Sequence, residues 1–214
     1  MSIFQKIKNW AMQEYRAKKL EHFYSLCDKK SSILDVGVSN NEYNDSTNLF
    51  LKNFRLNSNQ YTGLAIQSMD GIRKKYPNKK FVEYSGGIFP FAKNEFDWVF
   101  SNAVIEHVGS RENQLIFLDE MLRVGKNVFF TTPNKGFPIE SHTNVFLRHW
   151  FDDSFYKWCK TNQPLWSVEN LILLRVNDLN EIMEDSKAED YKIQKNRTFG
   201  YPMTFTVVCS AGNL

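Results

Sequence analysis

The sequence predicts an α/β fold in which helices cover both faces of a seven-stranded mixed sheet. Short apolar segments alternate with helical segments through residue 132, which is typical of a parallel sheet with helices on both sides. Two strand-like segments near the C-terminus are joined by the short connection 198–202, so they should pair antiparallel. A length of 214 residues with 42% hydrophobic residues is typical of one domain with a single core.

The N-terminal segment 2–26 is predicted to form an amphipathic helix. Its apolar residues recur at three- and four-residue steps, as Ile3, Ile7, Trp10, Ala11 and Tyr15. The basic residues between them would suit a membrane surface. Because Glu14 and Glu21 interrupt the basic face, a solvated face is favoured. The helix can also cover a cleft or pack against the sheet.

Five short apolar segments are predicted to form the parallel strands. They are residues 32–37, 61–66, 80–83, 96–101 and 127–132. The helices between them are predicted at 46–53, at 71–76 before Pro77, and at 112–124, where one stripe is apolar. Five parallel strands followed by an antiparallel pair complete the predicted seven-stranded sheet.

The last third of the chain is predicted to be less regular. Residues 133–167 are rich in aromatic side chains and have no clear period. A short helix with an Asn or Asp cap is expected over 177–184, and the closing strands over 191–197 and 203–209. We predict one domain over 1–214, with an N-terminal helix over 1–28 and an inserted aromatic segment over 133–167.

Charge and cysteine content exclude several classes of protein. Lys and Arg number 27 against 24 Asp and Glu, and a net charge of +3 gives little support to a nucleic-acid partner. No apolar run approaches the roughly 18 residues of a membrane span, and Lys6 and Lys8 break any signal-peptide core. Three distant cysteines do not predict a disulfide scaffold or zinc ribbon. We therefore expect a cytoplasmic protein without an integral membrane segment.

Ligands of parallel sheets bind beyond the carboxyl ends of the strands, so the residues that follow each strand matter most. After the first strand, Gly37 allows a tight turn, and Ser39 and the following asparagines offer polar groups. A dinucleotide fingerprint needs three glycines, and this turn has one. The hypothesis of a nicotinamide-dependent dehydrogenase therefore fails.

Three of the four histidines, His107, His142 and His149, lie in the segments that follow the fourth and fifth strands, and these segments also contain Glu106 and Glu140. His107 adjoins Glu106, and His142 follows Glu140. An imidazole near a carboxylate at a cleft suits general-base chemistry. The alternative for His107 is a structural role in holding the loop, and for His149 packing is favoured.

Several motifs resemble the class I S-adenosylmethionine-dependent methyltransferases, and most of all the bacterial type 11 group. The resemblance covers about residues 30–150 and implies a Rossmann-like fold with methyl transfer from S-adenosylmethionine. Its motifs are Leu34–Gly37, Tyr61–Leu64, Phe89–Phe91, Asn94–Asn102, Asn102–Gly109, Arg123–Lys126 and Thr131–Thr143.

The resemblance also implies which residues bind the cofactor. The methionine end would lie over the Gly37 turn, the ribose at the end of the second strand, and the adenine near Ser85. The implied set is Asp35, Gly37, Val38, Ser39, Ile66, Gln67, Ser85, Gly86, Ser101 and Asn102.

For catalysis, the reactive methyl group would point towards the end of the fourth strand. His107 or His142 would then be the base, and Glu140 would orient it. The resemblance implies a small-molecule or saccharide acceptor, with segment 133–167 on the acceptor side. Relatives that share the motif over residues 133–142 imply a role in surface-polysaccharide biosynthesis. The sequence does not predict the oligomeric state.

A metal site at Glu106, His107 and His142 is an alternative, because some related ubiquinone-pathway O-methyltransferases use a Glu/His cluster at this place. The companion acid three residues before Glu106 would be Ala103. We therefore predict no metal.

Two departures from the family pattern favour a second hypothesis. Ala65 stands where the family has an acid for the ribose hydroxyls, and Ser85 where it often has Asp for the adenine amino group. Two lost charge-assisted contacts would weaken binding by roughly 1.5–3 kcal/mol each. The second hypothesis is a catalytically degenerate partner or regulatory protein. An RNA methyltransferase is a third, which the modest charge does not favour.

Overall fold

The computed structural model describes residues 17–42, 47–198 and 200–212. Its centre is a seven-stranded mixed sheet in the order β3-β2-β1-β4-β5-β7-β6. The strands are β1 (Ile33–Val36), β2 (Tyr61–Ala65), β3 (Lys80–Glu83), β4 (Phe96–Asn102), β5 (Gly125–Pro133), β6 (Ala188–Thr198) and β7 (Tyr201–Ala211).

The strand directions confirm the predicted fold class. β1 to β5 run parallel, and β7 pairs antiparallel with both β5 and β6. β1 lies between β2 and β4, so the strand order reverses there. A crevice opens at such a reversal, beyond the carboxyl ends of the strands.

Helices pack on both faces of the sheet, as predicted. They are α1 (residues 17–26), α2 (Leu49–Lys52), α3 (Asp70–Lys75), α4 (Arg111–Val124), α5 (Asp152–Asn162) and α6 (Val176–Asp185). The first part of the predicted N-terminal helix, residues 1–16, lies outside the described residues. Among the helices of the described residues, none is long and apolar enough to span a bilayer.

Two apolar layers fill the space between the helices and the sheet. On one face, α1 places Phe23 edge-on against the rings of Trp98, Phe100 and Phe129. On the other face, the apolar stripe of α4 packs with α6 against β4, β5 and β7. Burial of such side chains stabilises the fold by about 1.5–3 kcal/mol each. Apolar burial therefore holds the helices against both faces of the sheet.

The segment predicted to be irregular contains a helix that the sequence analysis missed. α5 begins with Asp152 and Asp153, which favour a helix N-terminus, and buries Phe155 and Cys159 one turn apart. Aromatic residues on several sides of this helix hide its period. The predicted Asn or Asp cap of α6 is also wrong, because Arg175 is the N-cap and Asp178 Oδ2 accepts its backbone N–H at 2.6 Å.

Candidate cofactor cavity and imidazole cluster

A cavity of about 560 Å³ opens beyond the carboxyl ends of β1, β2, β3 and β4. Small-molecule sites span roughly 300–1,000 Å³, so this cavity has the size of a ligand site. It is lined by Val36, Gly37, Val38, Leu64, Ala65, Ile66, Gln67, Tyr84, Ser85, Gly86, Gly87, Ala103, Val104, His107, Val108, Asn113, Ile116 and Phe117. None of these described lining residues is Asp or Glu.

Gly37 forms the turn that brings backbone to the cavity wall. Its φ is +95°, and its N–H donates to the Leu64 carbonyl oxygen at 2.9 Å. A Cβ at this position would lie 2.3 Å from Cγ2 of Val104. Both the backbone conformation and the contact with Val104 therefore require glycine.

The far end of the cavity is apolar and open. Ile66 and Ile116 line it although they are 73% and 48% exposed, which is unusual for large apolar side chains. Gly86 and Gly87 have φ values of +88° and +70°, and a Cβ on either would meet nothing within 4 Å. The loop after β3 thus presents bare backbone to the cavity, which suits a flat ring seated between apolar side chains.

A smaller cavity of about 70 Å³ adjoins the first, with which it shares Val36, Gly37 and Val38. Asp35, Asn102 and Lys19 line it. Lys19 Nζ donates to Asn102 Oδ1, and the Tyr61 hydroxyl donates to Asp35 Oδ2 at 2.6 Å. Burial raises the pKa of Asp35 to about 7, although the Tyr61 hydrogen bond opposes the shift. The polar groups around the Gly37 turn are therefore concentrated in this smaller cavity.

The predicted cofactor residues divide among three places. Gly37, Val38, Ile66, Gln67, Ser85 and Gly86 line the large cavity, and Asp35 and Asn102 line the small one. Ser39 and Ser101 line neither. Asn48 Oδ1 accepts the Ser39 backbone N–H at 2.8 Å, and Ser101 is buried in β4. Ser39 or Ser101 would contact a ligand only through its backbone or after its side chain moved.

His107 and His142 meet at the end of the large cavity. His107 lines it, and its Nε2 lies 3.1 Å from Nε2 of His142. The Asn170 carbonyl oxygen lies 2.9 Å from His107 Nδ1, and Glu140 Oε1 lies 2.7 Å from His142 Nδ1. Because these oxygens accept hydrogen bonds, both Nδ1 atoms carry protons. With both rings neutral, two Nε2 lone pairs would face each other, so the 3.1 Å contact is a hydrogen bond only when a proton lies between the two Nε2 atoms.

Glu140 is a buried carboxylate held by several donors. The backbone N–H of His142, the backbone N–H of Thr143 and the Thr143 hydroxyl all donate to it. Burial alone would raise the pKa of Glu140, but the hydrogen bonds from His142 and Thr143 outweigh it and lower the pKa to about 2. Burial also lowers the pKa of His142, while the Glu140 hydrogen bond and the charge of Glu106 outweigh it and raise that pKa. Glu140 therefore favours the protonated form of His142.

Glu106 lies beneath the two imidazoles and is fully buried. The Thr132 hydroxyl donates to its Oε2 at 3.0 Å, while its Oε1 has no hydrogen-bond partner. Oε1 lies 4.0 Å from Nε2 of each of the two histidines. Burial raises the pKa of Glu106, and the nearby histidines oppose the shift.

Trp166 covers the pair of imidazoles and was not identified from the sequence. Its ring stacks on His107 with centroids 5.5 Å apart and meets His142 edge-on at 5.1 Å. Lys19 was also missed as a lining residue of the small cavity. Both residues reach the site through contacts between segments far apart in the sequence. No local motif therefore marks Trp166 or Lys19 as a site residue.

The match to a family model decides what kind of domain this is. Residues 34–128 match the model of a methyltransferase domain, from β1 into β5, and so span the Gly37 turn and His107. This match, over somewhat less than half of the chain, supports the class I S-adenosylmethionine-dependent methyltransferase superfamily. The prediction from the sequence motifs is thus confirmed, and S-adenosylmethionine is the cofactor of this methyltransferase.

Solved structures share the fold at low sequence identity. An S-adenosylmethionine-dependent methyltransferase from Methanosarcina mazei has 15% identity and a TM-score of 0.59, covering 88% of this chain and 95% of that one. One from Aquifex aeolicus has 14% identity and a TM-score of 0.54, covering 91% and 89%. The magnesium protoporphyrin IX methyltransferase of Synechocystis, with bound S-adenosylhomocysteine, has 11% identity and a TM-score of 0.59, covering 99% and 89%. No curated protein sequence matches the chain.

Proposed function

We propose that this methyltransferase transfers a methyl group from S-adenosylmethionine to a hydroxyl group of a small-molecule or sugar-containing acceptor. The observation that carries the proposal is the place of His107, which lines the cofactor-sized cavity while its Nε2 faces His142. A base at the edge of that cavity is what a hydroxyl acceptor needs when it attacks the sulfonium methyl group.

The cofactor would lie across both cavities. Its adenine would sit at the open end, between the side chains of Ile66 and Ile116 and beside the backbone of Ser85 and Gly86. Gln67 would approach the ribose. The exposure of the two isoleucines supports this arrangement, because a bound purine would cover them.

The methionine end would lie at the Gly37 turn, towards the small cavity. Asp35 and Asn102 would receive its ammonium group, and Lys19 would approach its carboxylate. The charges support this direction, since the acid and the base lie together in the small cavity and the large cavity has no acidic lining residue.

The transfer itself needs alignment and removal of one proton. The acceptor oxygen attacks the methyl carbon in line with the sulfur, the carbon–oxygen bond forms, and the carbon–sulfur bond breaks. The bound cofactor would supply the methyl group as a sulfonium and would be released as the neutral thioether S-adenosylhomocysteine. The proton of the acceptor passes to an imidazole Nε2, and Glu140 stabilises the imidazolium through His142 Nδ1 at 2.7 Å.

The inserted segment 133–167 would shape the acceptor side of the site. It supplies Glu140, His142 and Trp166, and aromatic rings stack well on sugar faces. A saccharide acceptor, and with it a role in surface-polysaccharide biosynthesis, is the form of the proposal that this segment favours. The cytoplasmic location expected from the sequence stays a prediction.

The proposal is tested in two steps with the full chain. Calorimetry with S-adenosylmethionine and S-adenosylhomocysteine is expected to show one site per chain. Tritiated cofactor is then offered with a panel of sugar nucleotides, free sugars and hydroxylated aromatic compounds, and the label is expected in an oxygen-methylated product. Label that is found only on nitrogen or carbon acceptors would contradict the hydroxyl assignment.

The calorimetry also tests the catalytically degenerate alternative, which the missing acid at Ala65 favours. A degenerate partner protein would give no heat with either ligand at high micromolar concentration. If the cofactor binds but no acceptor class is methylated, the cofactor part of the proposal stands and the catalytic part is contradicted.

A further inference from the structure

Asp35, in β1, is a buried acid that lines the small cavity. It is 6% exposed, and the same cavity is lined by Phe50 and Phe100, whose stacked rings have centroids 4.0 Å apart. The hydroxyl of Tyr61, a residue that is 0% exposed, donates to Asp35 Oδ2 at 2.6 Å. The hydrogen-bond partner of this acid is therefore a neutral, fully buried side chain and not a cation.

Four ionisable side chains lie around Asp35. Lys19 and Tyr24 come from α1, Tyr61 comes from β2, and Lys79 comes from the loop before β3. The cavity-lining residues of α2 and β4 are apolar or neutral. Burial raises the pKa of Asp35 to about 7, and it outweighs the Tyr61 hydrogen bond and the charge of Lys79, which both favour the ionised form. Without cofactor, Asp35 therefore keeps its proton below that pH.

The methionine end of the cofactor would bring two opposite charges into this cavity. Its carboxylate would approach Lys19, whose Nζ donates to Asn102 Oδ1 in the chain without cofactor. Its ammonium group would approach Asp35. An ammonium group buried beside a protonated carboxyl group has no counter-charge, which is unfavourable, whereas an ionised carboxylate supplies that charge in surroundings of low polarity. The ammonium group therefore favours the ionised form of Asp35.

We infer that cofactor binding expels the proton of Asp35, and that Tyr61 is a positioning residue that holds the resulting carboxylate for the ammonium group of the cofactor. The inference rests on the proposed function, in which the methionine end lies at the small cavity. The proton passes from the carboxyl group to the solvent, the carboxylate stays, and no covalent bond of the cofactor changes. Affinity for the cofactor should therefore rise with pH as free Asp35 becomes ionised.

Calorimetry of the full chain counts the expelled proton. Titrations in two buffers that differ in ionisation enthalpy give the number of protons released on binding. The matched control ligand is 5′-methylthioadenosine, which has the adenosine and the thioether of S-adenosylhomocysteine but neither its ammonium group nor its carboxylate. Both ligands would fill the cavity beside His107, so any proton released by the imidazoles is common to both. The difference between the two ligands therefore reports on the small cavity.

The expected difference is large and depends on pH. S-adenosylhomocysteine should release about 0.9 proton per chain more than 5′-methylthioadenosine at pH 6, and about 0.1 more at pH 8. Its dissociation constant should fall by about tenfold between these pH values, while that of the control ligand should change by less than about twofold.

Two variants identify the group that loses the proton and the group that holds it. Asp35→Asn should abolish the additional release at pH 6. Tyr61→Phe removes a hydrogen bond that favours the carboxylate, so the pKa of Asp35 should rise and the additional release at pH 8 should exceed the wild-type value several-fold. A purely structural loss would leave the proton count unchanged. Tyr191→Phe, in the edge strand β6, is the matched control and should behave as the wild type does.

The comparison of the two ligands on the wild-type chain does not depend on how the variants fold. The inference is overturned if both ligands release the same number of protons at pH 6, and the cofactor assignment would then still stand. It is also overturned if Asp35→Asn keeps the wild-type release, because the proton would come from another group. Absence of S-adenosylhomocysteine binding would contradict the proposed function as well, so the two failures are distinguishable.

Discussion

The two ends of the candidate active site differ in how many ionisable side chains they contain. The cofactor cavity is lined by glycine backbone and by apolar side chains such as Ile66, with no acid among its described lining residues. The acceptor end concentrates Glu106, Glu140 and two imidazoles in a buried cluster. Binding of the adenosine part of the cofactor should therefore depend mainly on shape, and catalysis on a few electrostatic contacts.

The same difference predicts that residues at the cofactor end tolerate substitution better than residues at the acceptor end. Apolar contacts with a ligand are replaceable at a cost of about 1 kcal/mol, whereas a buried charged network loses several kcal/mol when one member is removed. Variants at the two ends should thus move different quantities. Variants at the cofactor end should change the dissociation constant of the cofactor, and variants at the acceptor end should change kcat.

The largest effect is expected at the imidazoles. His107→Ala and His142→Ala should each lower kcat by about 10²–10⁴-fold, because the acceptor loses its activating group. The dissociation constant of S-adenosylhomocysteine should change by less than about twofold, since the apolar cavity is intact. Steady-state kinetics and calorimetry on the same preparations measure both quantities, with His22→Gln as the control. Full activity in both variants would remove these residues from the mechanism.

Gly37→Ala should give the next largest effect, on both stability and cofactor binding. The left-handed backbone costs about 1–2 kcal/mol with a side chain, and the contact with Val104 adds about 1–3 kcal/mol. Urea unfolding measures the sum. Gly87→Ala is the matched control, because its φ is also positive but a Cβ there meets open space. Equal losses in the two variants would show that Val104 does not restrict position 37.

Asp35 should make stability depend on pH. Its pKa is raised from the ordinary 3.8 to about 7, so the folded chain keeps a proton that the unfolded chain releases between these values. Stability from this group is complete below pH 3.8 and is lost as the pH rises to about 7. Denaturation at pH 4.5 and 7.5 should show a decrease of about 3 kcal/mol that Asp35→Asn removes. Asp153→Asn, on the exposed start of α5, should leave the decrease unchanged. An equal decrease in wild type and Asp35→Asn would contradict the claim that folded Asp35 keeps its proton.

Ile66→Ala should have the smallest effect and should be confined to the cofactor. Loss of one apolar contact with the purine should weaken S-adenosylhomocysteine binding by about tenfold or less. The midpoint of thermal unfolding should stay within about 1 °C, because the side chain is exposed in the free chain. Val168→Ala provides an exposed apolar control away from the cavity. Unchanged affinity in Ile66→Ala would place the purine elsewhere.

The sheet and the Gly37 turn could be predicted from local sequence because strands and turns depend on neighbouring residues. The ends of β6 and β7 extend beyond the prediction because the two strands pair with each other over polar stretches that have no apolar signal. α5 was missed because its rings obscure the helical period. The contacts of Trp166 and Lys19 could not be predicted, since they join segments far apart in sequence.

The imidazole cluster could likewise be predicted only in part. The sequence places His107 and His142 after adjacent strands, which predicts that they approach each other. Glu140 was expected to orient the base, and it lies 2.7 Å from His142 Nδ1. The sequence does not predict that the Asn170 carbonyl oxygen accepts a hydrogen bond from His107 Nδ1, or that both Nε2 atoms lie 4.0 Å from Glu106 Oε1. That arrangement depends on loop geometry rather than on any motif.

The central claim is that the cofactor cavity ends at the two imidazoles. A crystal structure of the chain with S-adenosylhomocysteine tests it directly. The purine is expected between Ile66 and Ile116, and the sulfur within about 8 Å of His107 Nε2, which leaves room for a methyl group and an acceptor oxygen. Sulfur directed away from His107 and His142, or a ligand bound outside the cavity, would contradict the account.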